Sequence, residues 1–116
     1  MKKSLVLLAA VTLLAATVFA ADLTGTWTTV VTLDAGGGTP TLELKQDGEK
    51  LTGKYNGQLG TADITGTVKG NDVVFTFGAG GANVTYKGKV DSTGKKIEGT
   101  CDYGGQASGT FTATKK

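Results

Sequence analysis

Apolar and polar residues alternate along nearly the whole chain after residue 21. In the segment 62–69, for example, Ile64, Gly66 and Val68 share one side and the threonines share the other. A period of two is typical of a β-strand with one buried face, and no stretch after residue 21 has the period of a helix. The pattern therefore predicts an all-β protein.

Turns rich in glycine, asparagine and aspartate recur at short spacing and bound the predicted strands. They indicate eight strands, near residues 23–33, 41–46, 50–56, 62–69, 72–77, 83–90, 96–103 and 107–114. Short connections favour antiparallel pairing of consecutive strands. We expect a single eight-stranded antiparallel up-and-down β-barrel, with a two-sheet β-sandwich as the alternative. The glycine-rich stretches 34–40 and 78–83 are expected to be open loops, plausible as lids at a barrel mouth.

A five-residue pattern with a central glycine recurs six times in the chain. The six copies are LTGTW at 23–27, LTGKY at 51–55, ITGTV at 64–68, YKGKV at 86–90, IEGTC at 97–101 and ASGTF at 107–111. Alternation places the central glycines on the inward, apolar face. These are Gly25, Gly53, Gly66, Gly88, Gly99 and Gly109. They let the strands curve enough to close a barrel, or leave an unfilled belt that encloses a ligand, and one glycine can do both.

The inward positions also supply a candidate ligand site. Its predicted members are Trp27, Tyr55, Phe75, Phe77, Tyr86, Tyr103 and Phe111, with Leu42 and Leu44 beside them. An apolar wall with a few polar groups, here three tyrosine hydroxyls, is the usual chemistry of a small-molecule pocket. The same residues would equally serve as an ordinary hydrophobic core.

The first twenty residues have the layout of a secretory signal peptide. Lys2 and Lys3 are followed by an apolar run and by small residues around Ala20. We expect cleavage after Ala20, or after Ala21, and one domain at 21–116 that is secreted or periplasmic. A retained membrane anchor is the alternative, since the apolar run is nearly long enough to span a bilayer.

The charge of the mature chain is balanced. The net charge of +2 comes from 12 basic and 10 acidic residues, and the two basic residues of the signal peptide account for the excess. The chain has no arginine and no polybasic run. We therefore expect neither a nucleic-acid partner nor a membrane partner after signal cleavage.

The residues of common catalytic sites are scarce. The chain has no histidine, and after the signal peptide serine occurs only at Ser92 and Ser108. We expect no catalytic residues, no metal site and no cofactor. The acidic residues alternate outward or lie in turns, so solvated surface charge explains them, with a hydrolase that uses surface carboxylates as an alternative. Cys101, the only cysteine, is expected to be buried, with a redox or intermolecular role as the alternative.

Gly25-Thr26-Trp27 in the first predicted strand resembles the Gly-x-Trp motif of the calycin superfamily of lipocalins, fatty-acid-binding proteins and avidins. The segments 23–27 and 51–55 look most like the first two strands of streptavidin, and the wider layout is similar to small secreted lipocalin-like proteins of bacteria. The resemblance implies the barrel fold and leaves the ligand open.

The chain departs from that superfamily at two positions that matter for function. Avidin-type biotin sites are walled by several tryptophans, and this chain has only Trp27, so we expect no tight biotin binding. Lipocalins usually place an arginine across the first-strand tryptophan, and Lys115 is the candidate to take that place.

The sequence thus predicts a non-enzymatic barrel that binds a small apolar or amphipathic ligand. The alternative is a structural or interaction protein that uses its outer, threonine- and lysine-rich surface for self-assembly or carbohydrate contact. The outward threonines of that surface are Thr65, Thr67, Thr85, Thr100, Thr110, Thr112 and Thr114. The sequence leaves the ligand's identity and the oligomeric state open.

Overall fold

The computed structural model describes residues 22–34, 36–58, 60–79 and 81–116, so the predicted signal peptide and its cut site lie outside the described residues. Within these ranges every regular element is a β-strand. The strands are β1 (Gly25–Leu33), β2 (Gly36–Gly38), β3 (Thr41–Asp47), β4 (Lys50–Gly57), β5 (Gly60–Lys69), β6 (Asp72–Ala79), β7 (Ala82–Val90), β8 (Lys96–Tyr103) and β9 (Ser108–Lys115). No helix in the described ranges is long and apolar enough to cross a membrane.

The strands form one closed antiparallel sheet. From β3 to β9 each strand pairs with the next along the chain, β1 pairs with β3, and β9 returns to pair with β1. The closing ladder runs from Trp27 opposite Lys115 to Leu33 opposite Gly109. This confirms the predicted eight-stranded up-and-down barrel, to which β2 is added, and one closed sheet is formed instead of two.

The prediction of an open loop at 34–40 is wrong for its central part. Gly36–Gly38 forms β2 and pairs with the last residues of β1. The glycine-rich composition suggested a turn, but glycine is compatible with a strand when a neighbouring strand approaches closely. A β-carbon on Gly37 would overlap the carbonyl oxygen of Val31 across the ladder.

β2 and β3 follow each other along the same edge of β1. Gly38 pairs with Val31 and Thr41 with Thr28, so the register is unbroken between them. The Thr29 amide donates to the Pro40 carbonyl at 3.0 Å. Proline has no N–H to return that bond, which interrupts the ladder. Among the described strands β2 pairs with β1 alone, and so it presents a free edge.

The second predicted loop, 78–83, is a tight hairpin. β6 continues to Ala79, which pairs with Ala82 at the start of β7. Gly81, which directly precedes β7, has φ of +80°, a conformation that glycine adopts at little cost. The stretch is therefore too short to act as a lid.

The predicted faces are confirmed. Residues expected to point inward are buried, including Ile64, Val84 and Tyr86, each at most 1% exposed. Cys101 is buried as expected, and burial raises the pKa of its thiol. The outward residues between them are mostly exposed.

One end of the barrel, here called the sealed end, is closed by the segment Asp22–Thr24 that precedes β1. Leu23 is fully buried. Its carbonyl accepts a hydrogen bond from Trp27 Nε1 at 2.9 Å, and its amide donates to Gln46 Oε1 at 2.9 Å. Both backbone polar groups of Leu23 are thus paired, as buried polar groups in proteins usually are.

Lys115 ties the last strand to the same segment. It lies opposite Trp27 in the β1–β9 ladder, and its Nζ donates to the Asp22 carbonyl at 3.0 Å. Its side chain also lies over Gly25, where a β-carbon would be 2.8 Å from Lys115 Cε. Gly25 also has φ of +145°, which residues other than glycine rarely adopt. Its backbone conformation and the contact with Lys115 therefore both favour glycine here, whereas the other five central glycines have no positive φ.

The other five central glycines lie where neighbouring strands approach each other very closely. Added β-carbons on Gly53, Gly66, Gly99 and Gly109 would overlap a carbonyl oxygen of the adjacent strand. At Gly88 a β-carbon would lie 2.6 Å from the Glu98 carbonyl oxygen and 3.0 Å from the Phe111 ring. Backbone and rings already fill the space beside these glycines, which favours curvature over an unfilled belt as their role.

Replacing one of these glycines should destabilise the fold, whereas a glycine with room should tolerate the change. We expect Gly99→Ala to lower the free energy of unfolding by about 1–3 kcal/mol, because its methyl group must displace the backbone of β7. Gly78 has only Ala82 O nearby, at 3.9 Å, so Gly78→Ala should change stability by about 0.5 kcal/mol or less. Urea unfolding followed by Trp27 fluorescence measures both, and equal midpoints for the two variants would contradict the assignment.

Candidate functional site

The end of the barrel opposite the sealed end has a pocket of about 200 Å³, here called the mouth pocket. It lies where β1 and β4 end, beside the free edge of β2. The residues that line it are Val31, Leu33, Gly37, Gly38, Thr39, Pro40, Tyr55, Gln58 and Tyr103. None of them is charged, and most of the wall is apolar.

Three parts of the fold build the mouth pocket. The last inward residues of β1, Val31 and Leu33, supply aliphatic side chains. β2 supplies backbone atoms on the adjacent side, and Pro40 supplies the carbons of its ring. Tyr55 of β4 and Tyr103 of β8 supply two phenol groups, because alternation points both residues inward near the ends of their strands.

Of the seven predicted ligand-binding residues, only Tyr55 and Tyr103 line the mouth pocket. Trp27 is fully buried near the sealed end. The other four, Phe75, Phe77, Tyr86 and Phe111, are at most 4% exposed and belong to the hydrophobic core.

Tyr86 is the centre of an aromatic cluster. Its ring centroid lies 4.7 Å from that of Phe111, 5.0 Å from Phe75 and 5.6 Å from Phe77. Tyr55 stacks on Phe77 with centroids 4.3 Å apart, which joins the pocket wall to this cluster. Aromatic contacts at these distances add to the stability gained from burial alone.

Tyr86 and Tyr103 are joined through their hydroxyl groups, whose oxygens are 2.7 Å apart. Burial raises the pKa of Tyr86 well above its ordinary value, and the hydrogen bond to Tyr103 adds to the shift. Burial also raises the pKa of Tyr103, although the hydrogen bond from Tyr86 acts in the opposite direction. Both phenols are therefore neutral at physiological pH, and the pair provides donors and acceptors without charge.

Thr29 is a buried polar residue that the sequence analysis did not single out. It is fully buried, and its Oγ1 has no hydrogen-bond partner among the described residues. Val31 follows it on the same face of β1 and Pro40 lies across the ladder, and both of these line the mouth pocket. A threonine at an inward position between Trp27 and Val31 was the signal that could have identified it.

The outer wall offers less defined sites. Its two wider hollows, of about 710 and 510 Å³, lie among mainly exposed or half-buried side chains of β6 to β9. The exposed carboxylates of Asp63, Asp72 and Glu98 each pair with a lysine. Across the described residues no three histidine, cysteine or acidic side chains are grouped so that they could hold a metal ion.

Comparison with known proteins adds no family to this description. No protein-family model and no curated protein matches the chain. The barrel itself is consistent with a calycin-like fold.

Replacing Thr29 with valine, which has nearly the same shape, should stabilise the protein. The change removes a buried hydroxyl that lacks a partner in the described protein, so we expect the free energy of unfolding to rise by about 1–3 kcal/mol. Thr28→Val, at the adjacent exposed position, is the matched control and should change it by about 0.5 kcal/mol or less. A loss of stability in Thr29→Val would show that the hydroxyl is hydrogen-bonded in solution.

The buried tyrosine pair predicts a loss of stability at high pH. Because the pKa of Tyr86 is raised in the folded state, the folded protein keeps a proton that the unfolded chain releases. The contribution of Tyr86 to the free energy of unfolding is complete below the ordinary tyrosine pKa of about 10. Above that pH the free energy of unfolding should fall by up to about 1.4 kcal/mol per pH unit. Urea unfolding between pH 8 and about pH 11 measures this. Tyr86→Phe should show a shallower decline, and an equal slope in both proteins would contradict the prediction.

Proposed function

We propose that this protein is a secreted or periplasmic, non-enzymatic barrel that binds a compact, largely apolar molecule at its mouth. The observation that supports it is the mouth pocket, whose apolar wall includes two phenol groups and no charged side chain. Such a combination is typical of sites that take small amphipathic ligands.

The size of the pocket limits what can bind. A cavity of about 150 Å³ holds one benzene molecule, so about 200 Å³ suits a single ring with a short substituent. The aromatic cluster lies beneath the pocket and restricts deeper entry. The proposal therefore places the ligand at the mouth instead of along the whole interior, and it does not suit a long acyl chain.

The calycin resemblance supports this proposal at the level of the fold only. Trp27, the residue that carries the resemblance, donates its Nε1 proton to the Leu23 carbonyl at 2.9 Å. It is fully buried, so it has no surface to offer a ligand.

The alternative, an interaction surface on the outer wall, is supported by one observation. Val30 is 52% exposed on β1. Threonines lie beside it on the same face, since Val30 pairs with Thr112, Thr28 with Thr114 and Thr32 with Thr110. If this face mediates self-assembly, sedimentation velocity should show an oligomer that Val30→Lys dissociates.

The mouth proposal can be tested by filling the pocket. Gly38 lines it, and an added β-carbon there would lie in ordinary contact with Gln58, at 3.7 Å. Gly38→Leu should therefore occupy the pocket without straining the barrel. We expect it to abolish binding of single-ring compounds, measured by NMR titration of residues 21–116 with a fragment set that includes benzene and acetophenone.

Gly78→Leu is the matched control, because Gly78 has room for a side chain and does not line the mouth pocket. It should bind the fragments as the wild type does. Shifts in the wild type should concentrate at Val31, Leu33 and Tyr55. If no fragment binds, or if Gly38→Leu binds as well as the wild type, the mouth is not the binding site.

A further inference from the structure

The direction of the Tyr86–Tyr103 hydrogen bond follows from burial. Tyr86 is fully buried, and within the described part of the chain its hydroxyl bonds only to Tyr103. If Tyr86 accepted that bond, its own proton would lie unpaired among aromatic rings, which is costly. Tyr86 is therefore the donor and Tyr103 the acceptor.

This assignment leaves the proton of Tyr103 available. Each phenol has one proton, and the bond at 2.7 Å uses that of Tyr86. No described residue accepts a hydrogen bond from Tyr103. Tyr103 is only half-buried and lines the mouth pocket. A donor is thus presented at the pocket, and an incoming hydrogen bond strengthens it as a donor.

The electrostatics of the pocket disfavour charged ligands. An anion would leave water without meeting a positive side chain, since no lysine lines the pocket. Asp34, which is exposed and directly follows the pocket residue Leu33, would add repulsion. A cation would face the positive end of the Tyr103 hydroxyl dipole.

On these grounds we propose that the mouth pocket recognises an uncharged molecule with a hydrogen-bond acceptor, such as a ketone or amide carbonyl, which accepts from the Tyr103 hydroxyl while the buried Tyr86 orients that hydroxyl. This inference rests on the proposed function and specifies its ligand class. Tyr103 is the specificity residue, and Tyr86 is a positioning residue that does not line the pocket.

Two compounds of nearly identical shape isolate the hydrogen bond. Acetophenone has a carbonyl oxygen where α-methylstyrene has a methylene carbon, and both match the pocket in size. We expect the wild type to bind acetophenone about three- to tenfold more tightly, the range given by one neutral hydrogen bond. NMR titration of residues 21–116 gives both dissociation constants, with benzoate as the anionic analogue, which should bind more weakly than acetophenone.

Two variants then separate recognition from structure, because both break the same tyrosine pair. Tyr103→Phe removes the donor, so the two compounds should bind equally well. Tyr86→Phe leaves the Tyr103 hydroxyl at the pocket, so a reduced preference for acetophenone should persist. If the preference for acetophenone over α-methylstyrene depended only on an intact tyrosine pair, both variants would lose it to the same extent. Urea unfolding of each variant, at the temperature of the titrations, confirms that the folded state is being measured.

The outcomes distinguish the inference from the proposed function. Equal binding of acetophenone and α-methylstyrene by the wild type would overturn the inference and leave a mouth pocket of apolar specificity. Tighter binding of benzoate would overturn it in the same way. A preference that survives Tyr103→Phe would assign the donor to another residue and also refute the inference. If neither compound binds, the proposed function fails together with it.

Discussion

Neighbouring strands of this barrel approach so closely at Gly53, Gly66, Gly99 and Gly109 that no β-carbon fits between them. This steric constraint underlies the rest of the structure. Without side chains at these points β4, β5, β8 and β9 can coil sharply around the axis, which helps the eight long strands to close into a barrel. Closure in turn pairs the first of the eight long strands with the last, so that among the described strands only the short β2 keeps a free edge.

A small closed barrel then determines where a ligand can bind. The inward side chains of eight strands nearly fill an interior of this diameter. Here the aromatic rings around Tyr86 occupy the middle, and Leu23 closes one end. The remaining space lies at the opposite end, where the inward residues are Val31, Leu33 and Tyr103. The site is therefore a consequence of how the core is distributed along the axis.

Tyr86 connects stability and the candidate site. Its ring packs against Phe75, Phe77 and Phe111, and its hydroxyl bonds to the pocket residue Tyr103. A buried hydroxyl needs a partner, and Tyr103 meets that need at the mouth. Substitutions at Tyr86 should thus affect unfolding and ligand preference together, which is why the two have to be measured side by side.

The sequence was sufficient to predict eight of the nine described strands, their faces and the barrel, because a period of two and short turns are local signals. β2 was missed because three glycines before Pro40 have the composition of a turn, and only pairing with the distant Val31 makes them a strand. The pocket was predicted in part. Alternation tells which side of the wall a residue faces but not its height along a staggered barrel, so Tyr103 and Trp27 looked equivalent although they lie near opposite ends.

Both ends of the described chain lie at the sealed end of the barrel. The Lys116 amide donates to the Thr26 carbonyl at 2.9 Å, and Lys115 reaches Asp22. Any polypeptide joined at either end would leave from the side remote from the mouth. The barrel could thus be tethered to a surface, or fused in tandem with another protein, while its opening still faced the solvent.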